Sequence, residues 1–181
     1  SDTAIITVNP VNDLPVATDS TEEGDEDTAI NITMDASDID DDSLRYSMAS
    51  TPSHGVISNV SYGNGTLTYT PDPDYNGSDS FTFDVEEDAS GEEGNTATVN
   101  ITINPVNDVP VVESQELTLD EDTSVSVTLT ATDADEGDTL IFTIVSDPEN
   151  GVLEGTAPDL TYIPDEDFEG IDSFTFTAND G

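Results

Sequence analysis

The feature that most constrains this chain is an internal repeat of about 95 residues, which nearly fills its length of 181 residues. The segment NPVND at 9–13 returns at 104–108, and EDT at 26–28 returns at 121–123, both 95 residues later. The segments LTYTP (67–71) and DSFTF (79–83) return as LTYIP and DSFTF, both 93 residues later. Because so many markers keep one order, the sequence predicts two copies of one small domain with short insertions and deletions.

The frame of the repeat predicts the domain boundaries. Residues 1–13 correspond to the last strand and linker of a preceding repeat, or to a donor strand. Residues 14–108 form a complete repeat, and residues 109–181 form a second repeat that lacks its final strand. Residues 3–9 match 98–104, which is the strand that the second copy lacks. We therefore expect either a piece of a longer array or a subunit whose residues 3–9 complete a neighbouring chain.

Short runs in which apolar and polar residues alternate predict half-buried β-strands throughout the chain. Ile30, Ile32 and Met34 alternate with polar residues, and the same pattern holds in 81–85 and 99–103. The second copy repeats it in 125–129, 140–144, 160–162 and 174–176. Turn-forming clusters such as YGNG separate the runs. Seven short strands per copy predict an all-β fold of tandem seven-stranded Greek-key β-sandwiches, cadherin-like or immunoglobulin-like.

The charge of the chain excludes several classes of partner. There are 42 acidic residues against one basic residue, Arg45, and the formal net charge is −41. Nucleic acids and anionic membrane surfaces would repel such a chain, and no apolar run is long enough to insert into a membrane. Apolar residues make up 33% of the sequence, which argues against a disordered acidic tail. Because there is no cysteine, cations rather than disulfides are the expected means of extra stabilisation.

The repeated acidic residues fall at the ends of the predicted strands and not across their faces. Successive strands of a sandwich run in opposite directions, so strand ends of the first copy, the linker and strand ends of the second copy are expected to meet at one boundary. The predicted members of this boundary set are Glu26, Asp27, Asn107, Asp108, Asp133, Asp135 and Asp180, with Asp72 and Asp74 as further candidates.

An equivalent set is predicted where the first copy would face a preceding repeat or a neighbouring chain. All these side chains offer hard oxygen atoms, of which calcium takes about six to eight with flexible geometry. Without a cation, several crowded carboxylates would repel one another. The sequence therefore predicts Ca²⁺ as the cofactor of both sets, with an acidic hinge as the alternative. The second set consists of Asn12, Asp13, Asp38, Asp40 and Asp88.

The period of 95 residues and the motifs VNDxP, EDT, DxD and GxDSFTF resemble those of the tandem repeats of large calcium-dependent bacterial adhesins. The predicted boundary set resembles the interdomain calcium sites of cadherins. This resemblance covers the whole chain and implies repeats at a bacterial cell surface or in a secreted protein. It also implies that calcium stiffens the repeats into a stalk, which holds a terminal binding domain away from the cell in adhesion and biofilm formation.

Other functions stay open at this point. We expect no enzyme, because His54 is the only histidine and its counterpart is Asn150, while the lack of cysteine and lysine excludes thiol and amine nucleophiles. A filament assembled head-to-tail through residues 3–9 is the first alternative. A carbohydrate-binding module is the second, although the chain has no tryptophan on which a sugar could stack. Adaptation to high salt could also account for acidic residues spread over the surface.

Overall fold

The computed structural model describes residues 2–9, 11–135 and 137–181, and it divides the chain into two compact units, Ser1–Val106 and Asn107–Gly181. Ser1 and Pro10, which belong to the predicted segment 1–13, lie outside the described residues, as does Glu136. Strands, turns and irregular segments make up all the described residues, which confirms the predicted all-β fold. Over those same ranges, no helix has the length and apolar character needed to cross a membrane.

The strands of the first unit follow the apolar alternation of the sequence. In the last of them, Ala97, Val99, Ile101 and Ile103 are all buried, whereas the residues between them are more exposed. The strands are β1 (Val16–Thr18), β2 (Ser20–Asp25), β3 (Ile30–Thr33), β4 (Asp35–Ser37), β5 (Leu44–Met48), β6 (Gly55–Ser61), β7 (Thr66–Pro71), β8 (Gly77–Glu87) and β9 (Glu93–Asn104).

Two sheets face each other in the first unit, with strand orders β2-β9-β8-β5 and β3-β7-β6. β8 and β9 are the longest strands and pair antiparallel in the middle of the larger sheet. β2 and β9 run parallel, from the pair Ser20–Val99 to the pair Asp25–Asn104. β1 instead pairs with β4, so the segment before β3 has two different partner strands.

The core of the first unit lies between these two sheets and draws on both. The inward side chains of β8 and β9 supply seven of its twelve buried members, and side chains of β3 and β7 face them. Burial of these side chains is the main driving force that holds the two sheets together. The buried members are Ala17, Ile32, Met34, Leu67, Tyr69, Phe81, Phe83, Val85, Ala97, Val99, Ile101 and Ile103.

The second unit repeats this plan with fewer paired strands. Its sheets have the orders β11-β15-β14 and β13-β16, and a short pair joins β10 to β12. Val127, Leu129 and Leu160 form its buried core, with half-buried residues such as Phe174 and Phe176 packed against them. The strands are β10 (Val111–Val112), β11 (Val125–Thr128), β12 (Ala131–Thr132), β13 (Ile141–Ser146), β14 (Gly151–Thr156), β15 (Asp159–Pro164) and β16 (Thr175–Asn179).

A tyrosine and an aspartate make the same contact in each unit. The Tyr69 hydroxyl donates a hydrogen bond of 2.9 Å to Asp79, and the Tyr162 hydroxyl donates one of 2.9 Å to Asp172. Each carboxylate also accepts hydrogen bonds from three backbone N–H groups, so it fixes the loop before β6 or β14 to the facing sheet. The donors are Ser53, His54 and Ser80 in the first unit, and Glu149, Asn150 and Ser173 in the second.

This contact shifts the titration of both partners. Desolvation and the bond to Asp172 raise the pKa of Tyr162 to about 12, and the pKa of Tyr69 is raised for the same reasons. Desolvation alone would raise the pKa of Asp79, but the four hydrogen bonds that its carboxylate accepts outweigh it and hold the pKa below the usual value. The same balance lowers the pKa of Asp172. Both aspartates therefore favour their charged forms in the folded chain.

Candidate metal centre

The DxD motif that follows β4 folds back on itself at one end of the first unit. Asp38 Oδ1 accepts hydrogen bonds from the backbone N–H groups of Asp40 (2.8 Å) and Asp42 (3.3 Å), as an aspartate that opens a turn commonly does. Asp40 Oδ2 accepts the backbone N–H of Asp13 at 2.8 Å. The motif therefore ties the segment that enters the unit to the end of β4.

Asn12 connects this entry segment to the far end of β8. Its side-chain amide donates to Glu87 at 2.8 Å and to Glu92 at 2.7 Å. Glu87 is only 2% exposed, and the hydroxyl of Ser90 donates to its other oxygen. A buried carboxylate held in this way is costly unless positive charge or several donors compensate it. The predicted residue Asp88 is the next one along, and its backbone N–H donates to the carbonyl of Ser43 at 2.8 Å.

The second unit builds the same arrangement from its own residues. Asp133 Oδ1 accepts the backbone N–H of Asp135 at 3.1 Å, and Asp135 Oδ2 accepts the backbone N–H of Asp108 at 2.7 Å. The amide of Asn107 donates to Asp180 at 2.8 Å, as that of Asn12 donates to Glu87. These five predicted residues of the second unit are thus brought together at one end of it.

One carboxylate oxygen at each of these ends is buried without a hydrogen-bond partner. Among the described residues, the buried side-chain oxygens in this condition are Ser20 Oγ, Asp38 Oδ2 and Asp133 Oδ2. The two aspartates occupy the same position of the two repeats. Oxygen atoms of Asp133, Asp135 and Asp138 also lie within 4.8 Å of one another. Buried, charged oxygens without donors are what a hard cation such as Ca²⁺ requires, so the residues present fit the predicted metal.

The electrostatics of the first unit agree with this fit. Desolvation and the charges of Glu87, Asp38 and Asp40 raise the pKa of the Asp42 carboxyl. Four acidic side chains therefore crowd one end of the unit, and nearby positive charge would relieve their repulsion.

The opposite end of the first unit holds the remaining predicted residues. Glu26 is 3% exposed and accepts hydrogen bonds from the backbone N–H of Val106 and from the amide of Asn76. Asp27 adopts a left-handed backbone conformation with φ of 56° and accepts the backbone N–H of Asp74 at 3.2 Å. Aspartate tolerates this conformation better than most residues, because its side chain can bond locally. The EDT segment (26–28) therefore presents one buried and one exposed carboxylate at this end.

Four acidic residues join these ends beyond the predicted sets: Glu87, Glu92, Asp42 and Asp138. Glu87 had a signal in the sequence, because the offset of 93 residues aligns it with the predicted Asp180. Asp42 and Asp138 had one too, because a one-residue insertion after Asp135 changes the offset to 96 and aligns DSL (42–44) with DTL (138–140). The two repeats therefore share the framework of the site, and an aspartate occupies this position in both.

The sequence matches the bacterial Ig domain family over residues 12–102 and again over 107–181. The chain belongs to the bacterial Ig domain family. The two matched ranges confirm the predicted tandem repeat, and they indicate repeats of a surface protein that are typically structural and non-enzymatic. They also indicate an extracellular or surface location. No curated protein sequence matches the chain significantly.

Solved cadherin structures share the fold. Domains EC1-2 of human Protocadherin-24 superpose with a TM-score of 0.54 at 15% identity, over 93% of this chain and 94% of that one. Drosophila N-cadherin EC1-4 gives a TM-score of 0.54 at 16% identity, over 89% of this chain and 43% of its own. An endo-fucoidan hydrolase of glycoside hydrolase family 107 aligns at 25% identity, but the TM-score of 0.41 supports no argument. This chain spans 26% of that hydrolase.

Proposed function

We propose that this chain is a pair of calcium-stiffened spacer repeats from the stalk of a large bacterial adhesin. The observation that carries the proposal is the partnerless buried oxygen that recurs in Asp38 and Asp133. Burying a polar atom without a hydrogen-bond partner lowers the stability of the folded chain by roughly 1–3 kcal/mol, and by more when the atom is charged. Because the same oxygen is left without a partner in both repeats, we infer that it has the same role in both. Membership of the bacterial Ig domain family supports a role in a surface protein.

The residues that would hold the cation are those whose oxygens converge at each unit end. In the second unit these are Asp133, Asp135, Asp138 and Asp180, with Asn107 orienting Asp180. In the first unit they are Asp38, Asp40, Asp42 and Glu87, with Asn12 orienting Glu87. A bound calcium ion supplies two positive charges and a ligand shell of about six to eight oxygens. The backbone N–H donors already fix one oxygen of several of these carboxylates.

Calcium bound at the boundary between the repeats would make the linker between them stiffer. The full boundary set predicted from the sequence would hold this ion, with Glu26 and Asp27 contributed by the first unit. Glu26 is supported in this role by its burial and by its bond to Val106, which immediately precedes Asn107 in the chain. Ligands supplied by both repeats would restrict the linker, and a row of such boundaries would make a rigid spacer.

The expected energetic effect is large for domains of this size. A calcium concentration about 100-fold above the dissociation constant adds roughly 2.7 kcal/mol per site. Two such sites would rival much of the total stability of a small domain, which is about 5–15 kcal/mol.

The test is a thermal melt in EDTA, then with rising calcium, with magnesium and sodium chloride of equal ionic strength as controls. We expect millimolar calcium to raise Tm by much more than either control, because only calcium suits this ligand set. Asp133→Asn should lose most of the calcium-specific rise in the second unit. Asp147→Asn removes the same charge at an exposed position of that unit and should retain the rise. An equal response to all three salts would mean simple charge screening and would overturn the proposal.

A further inference from the structure

Acidic residues are absent from one long stretch of the first unit. Residues 43–71 contain none, although 42 of the 181 residues of the chain are acidic. The same stretch holds the only basic residue, Arg45, and the only histidine, His54. The equivalent stretch of the second unit, residues 139–164, contains four acidic residues. The repeat itself therefore does not require this stretch to be free of negative charge.

The stretch includes two of the three strands in the smaller sheet of the first unit, which has the order β3-β7-β6. The outward side chains of this sheet alternate with the buried ones and lie in rows across the strands, such as Asn31–Thr68–Ser58. None of the outward side chains is charged. They form what we call the neutral face, which consists of Asn31, Thr33, Val56, Ser58, Thr66, Thr68 and Thr70.

The outer face of the larger sheet in the same unit is acidic. Asp84 and Glu86 alternate with the buried residues of β8, and Glu23 lies among the exposed residues of β2. The two outer faces of one unit therefore differ in charge, although both belong to the same sandwich.

The second unit carries acidic residues on the face that corresponds to the neutral face. The pairing of β15 with β11 and β14 gives the equivalent positions directly. Glu154 occupies the position of Ser58. Asp159 occupies the position of Thr66. The same fold thus accepts a charged face in one repeat and has a neutral face in the other.

The side chains of the neutral face can form hydrogen bonds with a copy of the same face. Hydroxyl and amide groups both donate and accept, whereas a carboxylate only accepts. The Thr68 hydroxyl does both, since it donates to Asn31 Oδ1 at 3.1 Å and accepts from the Asn59 amide at 3.4 Å. Val56 is 62% exposed and adds apolar surface. Contact between two identical surfaces requires self-complementarity of this kind.

The charge of the chain favours a second copy as the partner. Two chains of net charge −41 repel each other, and direct contact between their carboxylates would add to this repulsion. A basic partner would bind the acidic faces instead. The neutral face lets two copies approach without bringing carboxylates together.

We propose that the neutral face binds the neutral face of a second copy, first unit to first unit, around a two-fold axis. This contact goes beyond the proposed spacer function and does not depend on calcium. Seven side chains make a small interface, so single chains associate weakly. In an array of repeats, several such contacts would act together and hold neighbouring chains side by side.

The second unit supplies the variant that tests this contact. Ser58→Glu with Thr66→Asp places the residues of the second unit on the neutral face, in a fold that already accepts them. Sedimentation equilibrium in about 0.5 M sodium chloride, where the Debye length is about 4 Å, should show concentration-dependent dimers of the natural chain. The double variant should dimerise at least about tenfold more weakly, because carboxylates of both copies then meet in the contact.

A matched control makes the same two exchanges elsewhere on the first unit. Thr21→Asp with Ser78→Glu adds the same charges to exposed positions on the outer face of the larger sheet. This variant should dimerise like the natural chain, because its added charges lie outside the neutral face. A thermal melt of each variant checks that it is folded.

Cross-linking locates the contact, since the natural chain has no cysteine. Thr68 lies at the centre of the neutral face, and Thr161 has the same position in the second unit. Both are half-buried. With a short bis-maleimide cross-linker, Thr68→Cys should give covalent dimers faster than Thr161→Cys.

Three results would each overturn the proposal. The first is a natural chain that stays monomeric up to about 1 mM, a concentration at which even weak dimers form. The second is the same dimerisation constant for both double variants, and the third is equal cross-linking at the two cysteine positions. A monomeric natural chain would assign the neutral face to a partner of other chemistry, such as a neutral polysaccharide.

Discussion

The two units of this chain have nearly the same sequence pattern but close their cores to very different extents. Twelve apolar residues form the buried cluster of the first unit, against three in the second. The difference lies along one edge: β9 covers the core of the first unit, whereas residues 109–181 include no counterpart of that strand. The comparison shows that the final strand of this fold is a core element, because its side chains bury the phenylalanines of the preceding strand.

The final strand also decides the structure of the first segment of the repeat. Ser20–Asp25 forms β2 by pairing in parallel with β9. Its counterpart, 115–120, has no regular structure in the second unit. The residues of 115–120 are no poorer in strand formers, since Leu117 and Leu119 replace Glu22 and Gly24. The loss of pairing, and not the local sequence, therefore explains the difference.

The largest test of this comparison removes one ring from each core. Phe81→Ala should lower the free energy of unfolding of the first unit by about 3–5 kcal/mol, the usual cost for a fully buried phenylalanine. Phe174→Ala should cost the second unit roughly half as much, because that ring is only half-buried. Hydrogen exchange read by mass spectrometry can follow each unit by its own peptides. Equal costs would show that the second core is as closed as the first.

A second test breaks the tyrosine–aspartate contact that both units share. Asp79→Asn should lower stability by about 2 kcal/mol or more, since the carboxylate accepts charge-assisted bonds from buried donors. Asp172→Asn should act in the same direction with a smaller effect, because its site is more open. Denaturant titration of each variant at neutral pH gives the comparison.

The pH dependence of this contact has a definite sign. The folded-state pKa of Asp79 lies below the ordinary value of 3.8, so the contact stabilises fully above that value. Its contribution is lost as the pH falls through the lower, folded-state pKa. The stability difference between the natural chain and Asp79→Asn should therefore be constant near neutrality and shrink below about pH 4. A difference that grows on acidification would contradict this account.

The smallest effect is expected at the single basic residue. Arg45 lies 3.7 Å from Glu86, and both side chains are well exposed, at 60% and 38%. Exposed pairs of this kind contribute about 0–1 kcal/mol. The matching position of the second unit is Ile141, so Arg45→Ile makes the units alike. We expect a change in Tm close to zero, and a clear loss would mean that this pair does more than a surface ion pair should.

The sequence alone predicted the strands well, because residues that alternate between apolar and polar mark the buried and exposed faces of a strand. The runs around Ile32, Tyr69, Phe81 and Val99 are all strands with those residues inside. It could not predict that the first segment divides between two partners at Asp19, with β1 on β4 and β2 on β9. Which strand pairs with which depends on tertiary packing and not on local pattern.

The sequence predicted that acidic residues cluster at the ends of each unit, but it did not predict every residue of these clusters. The DxD motifs, Asn12 and Asn107 were identified because they repeat at fixed offsets, and the structure places each within its unit end. Glu92 was not identified, because it lies in the turn between β8 and β9, and its contact with Asn12 depends on how that turn folds back. Alternation of apolar and polar residues carries no information about the path of such a turn.

The parallel pairing of β2 with β9 has a mechanical consequence for a spacer under tension. Pulling on the N-terminal end of β2 and the C-terminal end of β9 draws the strands along each other in opposite directions. The six register pairs from Ser20–Val99 to Asp25–Asn104 then share the load in shear, whereas strands opened from one end would break their bonds singly. Since resistance to force depends on the unfolding rate, this pair is expected to set the force at which the first unit yields.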